Sequence, residues 1–299
     1  MNSAELGKFG VEPQRQRGLT KLIDTSHRRP MNLADVLPWE NTIDKSVAPK
    51  EPTHCWLYGT SFYDNFSEQQ KSELLWLQTA RDVSMFITLE QTLPVLYMGY
   101  INKYGSEIPK DITEYLMIFS KEEIVHTMMF KRYLKKAELP MYSGDAAIKN
   151  LLGRLPDMPP IMGVLYTLIL EWVAELGALY STQGDNIEPL TKKMFYEHHV
   201  DEARHISFGK WLCESHIKNA SAEQRKAIIE MVSPMIKRLL PAFSYNPEIA
   251  RYTSFDFPIS PDDKEVHEAI RNSQSNQALN EKRFAPLTRW IVEQGLYED

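Results

Sequence analysis

Cysteine is almost missing from this 299-residue chain. Cys55 and Cys213 are too few and too far apart in sequence for a disulfide framework or a zinc site, so a reducing compartment and cytoplasmic residence are expected. Glycine is scarce at 13 residues, while Leu, Glu, Lys, Ala, Met and Gln crowd the middle of the chain, which favours helix over sheet. There is no excess of positive charge either. The net charge is −6 and the basic residues are scattered, so nucleic acid is not an expected partner. The densest basic group, Lys131-Arg132 with Lys135-Lys136, falls where a helix should end and complements its dipole. Residues 1–10 are polar, without the apolar stretch of a signal peptide. Residues 159–180 approach the length of a bilayer span, but they carry Glu171 and Glu175. A helix in a protein core is therefore expected there, and no membrane partner.

What is present is a 43% apolar composition, ample for a large core, and a run of helix signals. Residues 1–65 are polar, rich in proline and dotted with aromatics, and predict an irregular arm over the body. Ser67-Glu68-Gln69-Gln70 has capping-box form and should open a helix running to about 103, bent near Glu90 by Pro94. Asp111-Ile112-Thr113-Glu114 should cap a second helix to about 138. A loop containing Gly144, Gly153, Pro156, Pro159 and Pro160 then crosses to a third helix at about 160–182 and a fourth at about 188–218. Ser221-Ala222-Glu223-Gln224 caps a fifth helix that stops by Pro241, and two shorter helices follow at about 262–274 and 276–296. No flexible linker or low-complexity tract is visible. One all-α domain over 1–299 is expected, with a four-helix core at 66–220 and additional helices at 221–299.

The chemistry concentrates in His198-His199-Val200-Asp201-Glu202-Ala203-Arg204-His205. At about 100° per residue, His198 and His205 lie about 40° and 60° to the same side of Glu202, whereas His199 lies about 60° to the other side. A carboxylate and two imidazoles therefore leave one face, and Glu-x-x-His is the pattern that carboxylate-bridged di-iron bundles use twice. The second copy is Glu122-Glu123-Ile124-Val125-His126. Glu202 follows Glu123, and His205 follows His126, by the same 79 residues. Each motif needs one carboxylate from the preceding helix, and Glu90 and Glu171 supply them. Glu175 shares the face of Glu171 and is its rival, but Glu171 keeps the spacing of the repeat more closely.

Four carboxylates would offset two ferrous ions, and an oxygen and imidazole donor set suits iron or manganese. Glu122 and Asp201, one residue before each motif, are expected to accept hydrogen bonds from the histidine of the opposite motif, with Glu175 as a further outer carboxylate. His27, His54, His216 and His267 have no partner pattern and are expected to be structural or exposed. Met85, Met98, Met117, Met128 and Met129 are expected to pack the core.

The paired motifs resemble ferritin-like di-iron proteins. The extra histidine before the second motif resembles the para-aminobenzoate N-oxygenase (AurF-type) family in particular, over about residues 65–240. The resemblance implies a ferritin-like four-helix bundle with a seven-ligand site of Glu90, Glu123, His126, Glu171, His198, Glu202 and His205. It also implies two iron ions cycling between Fe2+ and Fe3+, with manganese as the alternative metal. The implied activity is O2 activation and oxygen transfer to the nitrogen of a small arylamine-type substrate, giving hydroxylamine or nitro products. No flavin or ferredoxin motif is present, so electrons would come from a separate reductase or ferredoxin, or be bypassed by peroxide. A homodimer is compatible with this reading. A di-iron hydroxylase or desaturase acting on carbon is the competing enzyme; Phe86, Leu89, Tyr97, Phe119, Tyr166, Leu168, Trp172 and Phe195 could line its apolar pocket. A metal-storage or ligand-binding bundle is the non-catalytic alternative.

Overall fold

The computed structural model describes residues 9–144 and 146–296; residues 1–8 at the polar start of the predicted arm lie outside them. In chain order the helices are α1 (Pro13–Arg28), α2 (Ser61–Asn65), α3 (Glu68–Glu90), α4 (Leu93–Tyr104), α5 (Lys110–Lys136) and α6 (Ala146–Arg154). They continue with α7 (Pro160–Ser181), α8 (Pro189–Asn219), α9 (Ala222–Ala242), α10 (Lys264–Arg271) and α11 (Gln274–Glu293). No strand occurs among the described residues.

Local chemistry accounts for most boundaries. Ser67 opens α3 with a complete capping box: its hydroxyl accepts from the Gln70 N–H, and the Gln70 side chain accepts from the Ser67 N–H. Ser221 and Gln224 do the same before α9. The cap expected at Asp111 does not form. Pro109 precedes α5, and Asp111 sits in the first turn, where its charge still suits the dipole. Pro94 cannot donate to the carbonyl of Glu90, so α3 ends at Glu90 and α4 begins at Leu93. Glu90 thus stands at a helix break, as the sequence predicts.

Four long helices, α3, α5, α7 and α8, build the bundle, with α3 against α5 and α7 against α8. Almost every residue of α7 is buried, which explains its membrane-like composition without a membrane. At Gly209 of α8 an added Cβ would stand 3.3 Å from Leu168 of α7, so the missing side chain lets these two helices approach closely. One hydrophobic cluster fills the bundle. A second, built on Trp56, Phe66, Leu75, Tyr245 and Ile270, joins the chain before α3 to the segment between α9 and α11.

Three expectations need correction. The arm is not wholly irregular, because residues 13–28 form α1 along α8, tied by Glu12–Lys218 and Arg15–Glu214 ion pairs and by Arg204 Nε to Ser26 Oγ at 3.0 Å. Leu19, Leu22, Ile23 and Ser26 fall at i, i+3, i+4 and i+7 and turn a narrow face to the core, a single short stripe among polar residues that the expectation of an irregular arm overlooked. The crossover before α7 holds the short helix α6. Of the methionines expected in the core, Met129 is fully buried, but Met98, Met117 and Met128 are exposed on the outer faces of α4 and α5.

Candidate metal centre

Each bundle helix sends carboxylates or imidazoles to one buried point: Glu90 from α3, Glu123 and His126 from α5, Glu171 from α7, and His198, Glu202 and His205 from α8. All are at most 5% exposed, a burial that ionised carboxylates tolerate only with compensation. Two groups have donor atoms within 4.8 Å of one another: Glu90, His126, His198 and Glu202, and Glu123, Glu202 and His205. Glu202 belongs to both and stands between them, whereas Glu171 belongs to neither, though its buried carboxylate feels the charges of Glu202 and Glu123.

An outer layer fixes the rings. His126 Nε2 lies 3.2 Å from Asp201 Oδ2 and His205 Nε2 lies 2.8 Å from Glu122 Oε2, so each histidine donates to the acid beside the opposite motif. That crossed pairing makes α5 and α8 antiparallel at this level, and it leaves the Nδ1 atoms of both rings facing the centre. Arg204 binds both outer acids, with Nη2 at 2.9 Å from Glu122 Oε1 and 2.7 Å from Asp201 Oδ1. His198 is turned the other way. Its Nδ1 donates to Glu175 Oε2 at 2.9 Å, and its Nε2 lies 2.8 Å from Glu90 Oε1 and 3.2 Å from Glu202 Oε1.

The atoms left over test whether metal fits. Both oxygens of Glu123 and Glu202, Oε2 of Glu90, Oε1 of Glu171, and Nδ1 of His126 and His205 are buried without a hydrogen bond. Orphaned buried atoms of this kind are costly, at about 1–3 kcal/mol each or more for charged groups. Here they gather on the residues whose types and spacing suit a dinuclear carboxylate site. Without metal the charges are managed by protons. Burial raises Glu90 to about 8 and lifts Glu171 well above the usual carboxylate range. Burial also pushes Glu202 up, but the neighbouring His205 and His198 outweigh it and hold its carboxyl low. Burial disfavours the His126 cation, yet the Asp201 carboxylate on Nε2 and the Glu202 carboxylate 3.2 Å from Nδ1 raise it to about 10. The residues therefore fit a pair of cations that would replace these protons.

The two rival carboxylates of α7 differ in their contacts. Both oxygens of Glu175 are engaged by imidazoles, whereas Oε1 of Glu171 is without a partner. Two contributors were missed in sequence. Arg204 lay inside the motif, three residues after Asp201, a spacing that brings side chains together on a helix. His199, which points away from His205 on the helix, meets Glu175 because α7 packs on that side, and a single helix cannot reveal this. Among the aromatics, Phe119 stacks on His205 at 3.7 Å between ring centres, Tyr97 packs on Phe119, and Phe86 meets His198 edge-on at 4.9 Å. Trp172 instead faces Trp290 and Lys210, away from this cluster. Of the remaining histidines, His27 is exposed and pairs with Glu114, while His267 bonds to the Ser260 carbonyl. Both cysteines are buried and free.

The model of a family described as p-aminobenzoate N-oxygenase AurF matches residues 12–295. A search of curated proteins finds no match. Among solved structures, a tyrosine-to-phenylalanine variant of an R2-like ligand-binding oxidase with an anaerobically reconstituted Mn/Fe cofactor is similar at 13% identity and TM-score 0.51, covering 96% of this chain and 95% of that one. A valine-to-leucine variant of an R2-like ligand-binding oxidase with an aerobically reconstituted Mn/Fe cofactor is similar at 14% identity and the same TM-score and coverage. These likenesses establish the ferritin-like fold.

Proposed function

The chain belongs to the p-aminobenzoate N-oxygenase AurF family, and from that premise we propose that it is a di-metal oxygenase that activates O2 and oxidises the amine nitrogen of a small arylamine-type substrate. The coarser statement, a di-metal oxidase or oxygenase, rests on the family, the fold and the buried Glu/His cluster. The observation that carries it is the convergence of orphaned oxygen and imidazole atoms on one point. The proposed ligands are Glu90, Glu123, His126, Glu171, His198, Glu202 and His205, holding two iron ions, or manganese with iron as in the similar oxidases. When bound, the metal pair supplies the electrons and Lewis acidity for O2 reduction.

The chain's own contribution is orientation and exclusion of water. By accepting from the outer nitrogens, Asp201 and Glu122 orient the rings of His126 and His205 so that Nδ1 faces the centre, and they keep the remaining proton on Nε2 once the inner one gives way to metal. Arg204 keeps those two acids ionised and in place. Phe119, Phe86 and Phe130 pack against the imidazoles and deny water a path along the rings.

Iron quantification combined with product analysis on a panel of arylamines tests the proposal. About two irons per chain, with arylamine-dependent O2 consumption and hydroxylamine or nitro products, is the expected result. Oxidation at carbon with amines untouched would transfer the protein to the hydroxylase or desaturase class, and iron loading far above two would make it a store.

A further inference from the structure

The three imidazoles of the centre are not held alike. His126 and His205 are anchored through Nε2 by acids that share one buried guanidinium, and both present Nδ1 inward. His198 is anchored through Nδ1 by Glu175 and presents Nε2. Glu175 has its own anchor: His199 Nδ1 donates to its other oxygen at 2.7 Å. The chain His199–Glu175–His198 is complete, because both carboxylate oxygens are used and Nδ1 of each ring is a donor. His199 is also the one member with access to solvent, its side chain being 32% exposed against 1% for His198 and for Glu175.

We infer that Glu175 and His199 act as a positioning pair for the third imidazole, fixing the tautomer and ring plane of His198 so that Nε2 serves the group containing Glu90, His126 and Glu202. This rests on the di-metal reading proposed above. A carboxylate accepting from the outer nitrogen raises the donor strength of a ligating histidine and removes its freedom to rotate. The pair lies on one side only, since His198 belongs to the group with Glu90 and not to the group with Glu123 and His205. Disturbing it should therefore change one metal position and spare the other. Glu175 also cannot serve as a ligand in this arrangement without giving up one of its two imidazole contacts.

The test uses the full chain, stripped of metal, with Co(II) added stepwise without oxygen so that its visible absorption reports the coordination of each ion. The wild-type protein should take two ions. In Glu175→Leu and His199→Phe one of the two binding steps should weaken about tenfold or more, with an altered Co(II) spectrum, while the other stays within about twofold. His199→Asn, whose amide nitrogen can stand in for Nδ1 as a donor to Glu175, should restore both the affinity and the spectrum. Should Glu175→Leu fail to fold, Glu175→Gln carries the same expectation with a smaller shift. Unchanged binding steps and spectra in His199→Phe and the Glu175 variant overturn the inference. So does equal weakening of both steps that His199→Asn fails to repair, since that is general loosening. A wild-type protein that binds no second ion instead overturns the di-metal reading itself, whatever the variants do.

Discussion

At the bundle axis Glu90, Glu123, Glu171 and Glu202 crowd around three imidazoles, whereas about two turns earlier on α3 Lys50, Arg81 and Arg283 crowd around the carboxylate of Asp82. Both clusters are buried and both carry charge, but the signs are opposite. The basic cluster settles its excess internally. Lys50 and Arg81 pair with Asp82, and Arg283 donates to the Phe243 carbonyl at 3.0 Å. His54 stays neutral, pushed down to about 4 by burial and then by Lys50, Arg283 and Lys282. The acidic cluster takes up protons instead, at Glu90 and Glu171. Both oxygens of Glu123 and of Glu202 still lack a hydrogen bond, the imidazoles standing beside them as charged neighbours. His54 sheds its proton and sits in the core as a neutral ring, whereas the carboxylates keep oxygen atoms aimed at a common point that two cations would fill, and this difference separates a structural charge cluster from a binding one.

The comparison breaks most severely at Arg204. Arg204→Leu leaves Glu122 and Asp201 buried without their guanidinium, and urea unfolding of the metal-free chain at neutral pH should show a loss of about 3–5 kcal/mol. Adding Glu122→Gln and Asp201→Asn to the same chain should recover part of that loss. If the triple variant is no better than the single one, stranded negative charge is not what Arg204 answers.

On the basic side the corresponding lever is pH. His54 titrates near 4 in the folded protein and near its ordinary 6.5 when unfolded, so between these values the unfolded chain holds the extra proton. Its contribution is therefore lost as pH falls from about 6.5 and levels off below about 4. For a ring that is not wholly shielded, the total is about 2 kcal/mol. His54→Asn should remove that portion of the acid sensitivity, read as the difference between the two stability-against-pH curves. Parallel curves would contradict it.

A smaller effect is expected at Gly177, where an added Cβ would stand 2.5 Å from Arg283 Nε. Gly177→Ala should displace the guanidinium and reduce stability by about 1–3 kcal/mol, measured by thermal unfolding. An unchanged melting temperature would mean that Arg283 moves aside freely.

What could be read in advance follows the range of the interaction. The spacing of Glu-x-x-His puts a carboxylate and an imidazole on one helical face, so Glu123, His126, Glu202 and His205 stood out from sequence, and the 79-residue repeat joined them. The crossed bonds of Glu122 to His205 and Asp201 to His126 join two helices and were expected only by analogy with other carboxylate-bridged bundles. The His199–Glu175 contact was not, because it depends on how α7 seats against α8. The basic cluster was invisible, being drawn from three separated stretches that hold Lys50 with His54, Asp82 and Arg283 and share no local pattern. α1 escaped because its apolar stripe of Leu19, Leu22 and Ile23 spans little more than one turn and is embedded in polar sequence.

The subtlest difference between the two halves of the acidic site is where their single carboxylates stand. Glu171 lies within an unbroken helix, but Glu90 ends α3 at the break made by Pro94. A carboxylate at a helix C-terminus faces the negative end of the dipole, so this position is not chosen for stability. The break instead turns the last residue of α3 toward His198, whose Nε2 lies 2.8 Å from Glu90 Oε1. Pro94→Ala would give the Glu90 carbonyl its missing donor and let α3 run on into α4. The fold should gain or lose no more than about 1 kcal/mol. Metal affinity should nevertheless fall, because straightening the helix carries the carboxylate away from the centre. Measuring unfolding and metal affinity on the same preparation separates the two effects. A Pro94→Ala protein that binds metal as the wild type does would show that packing around α3, and not the helix break, aims Glu90.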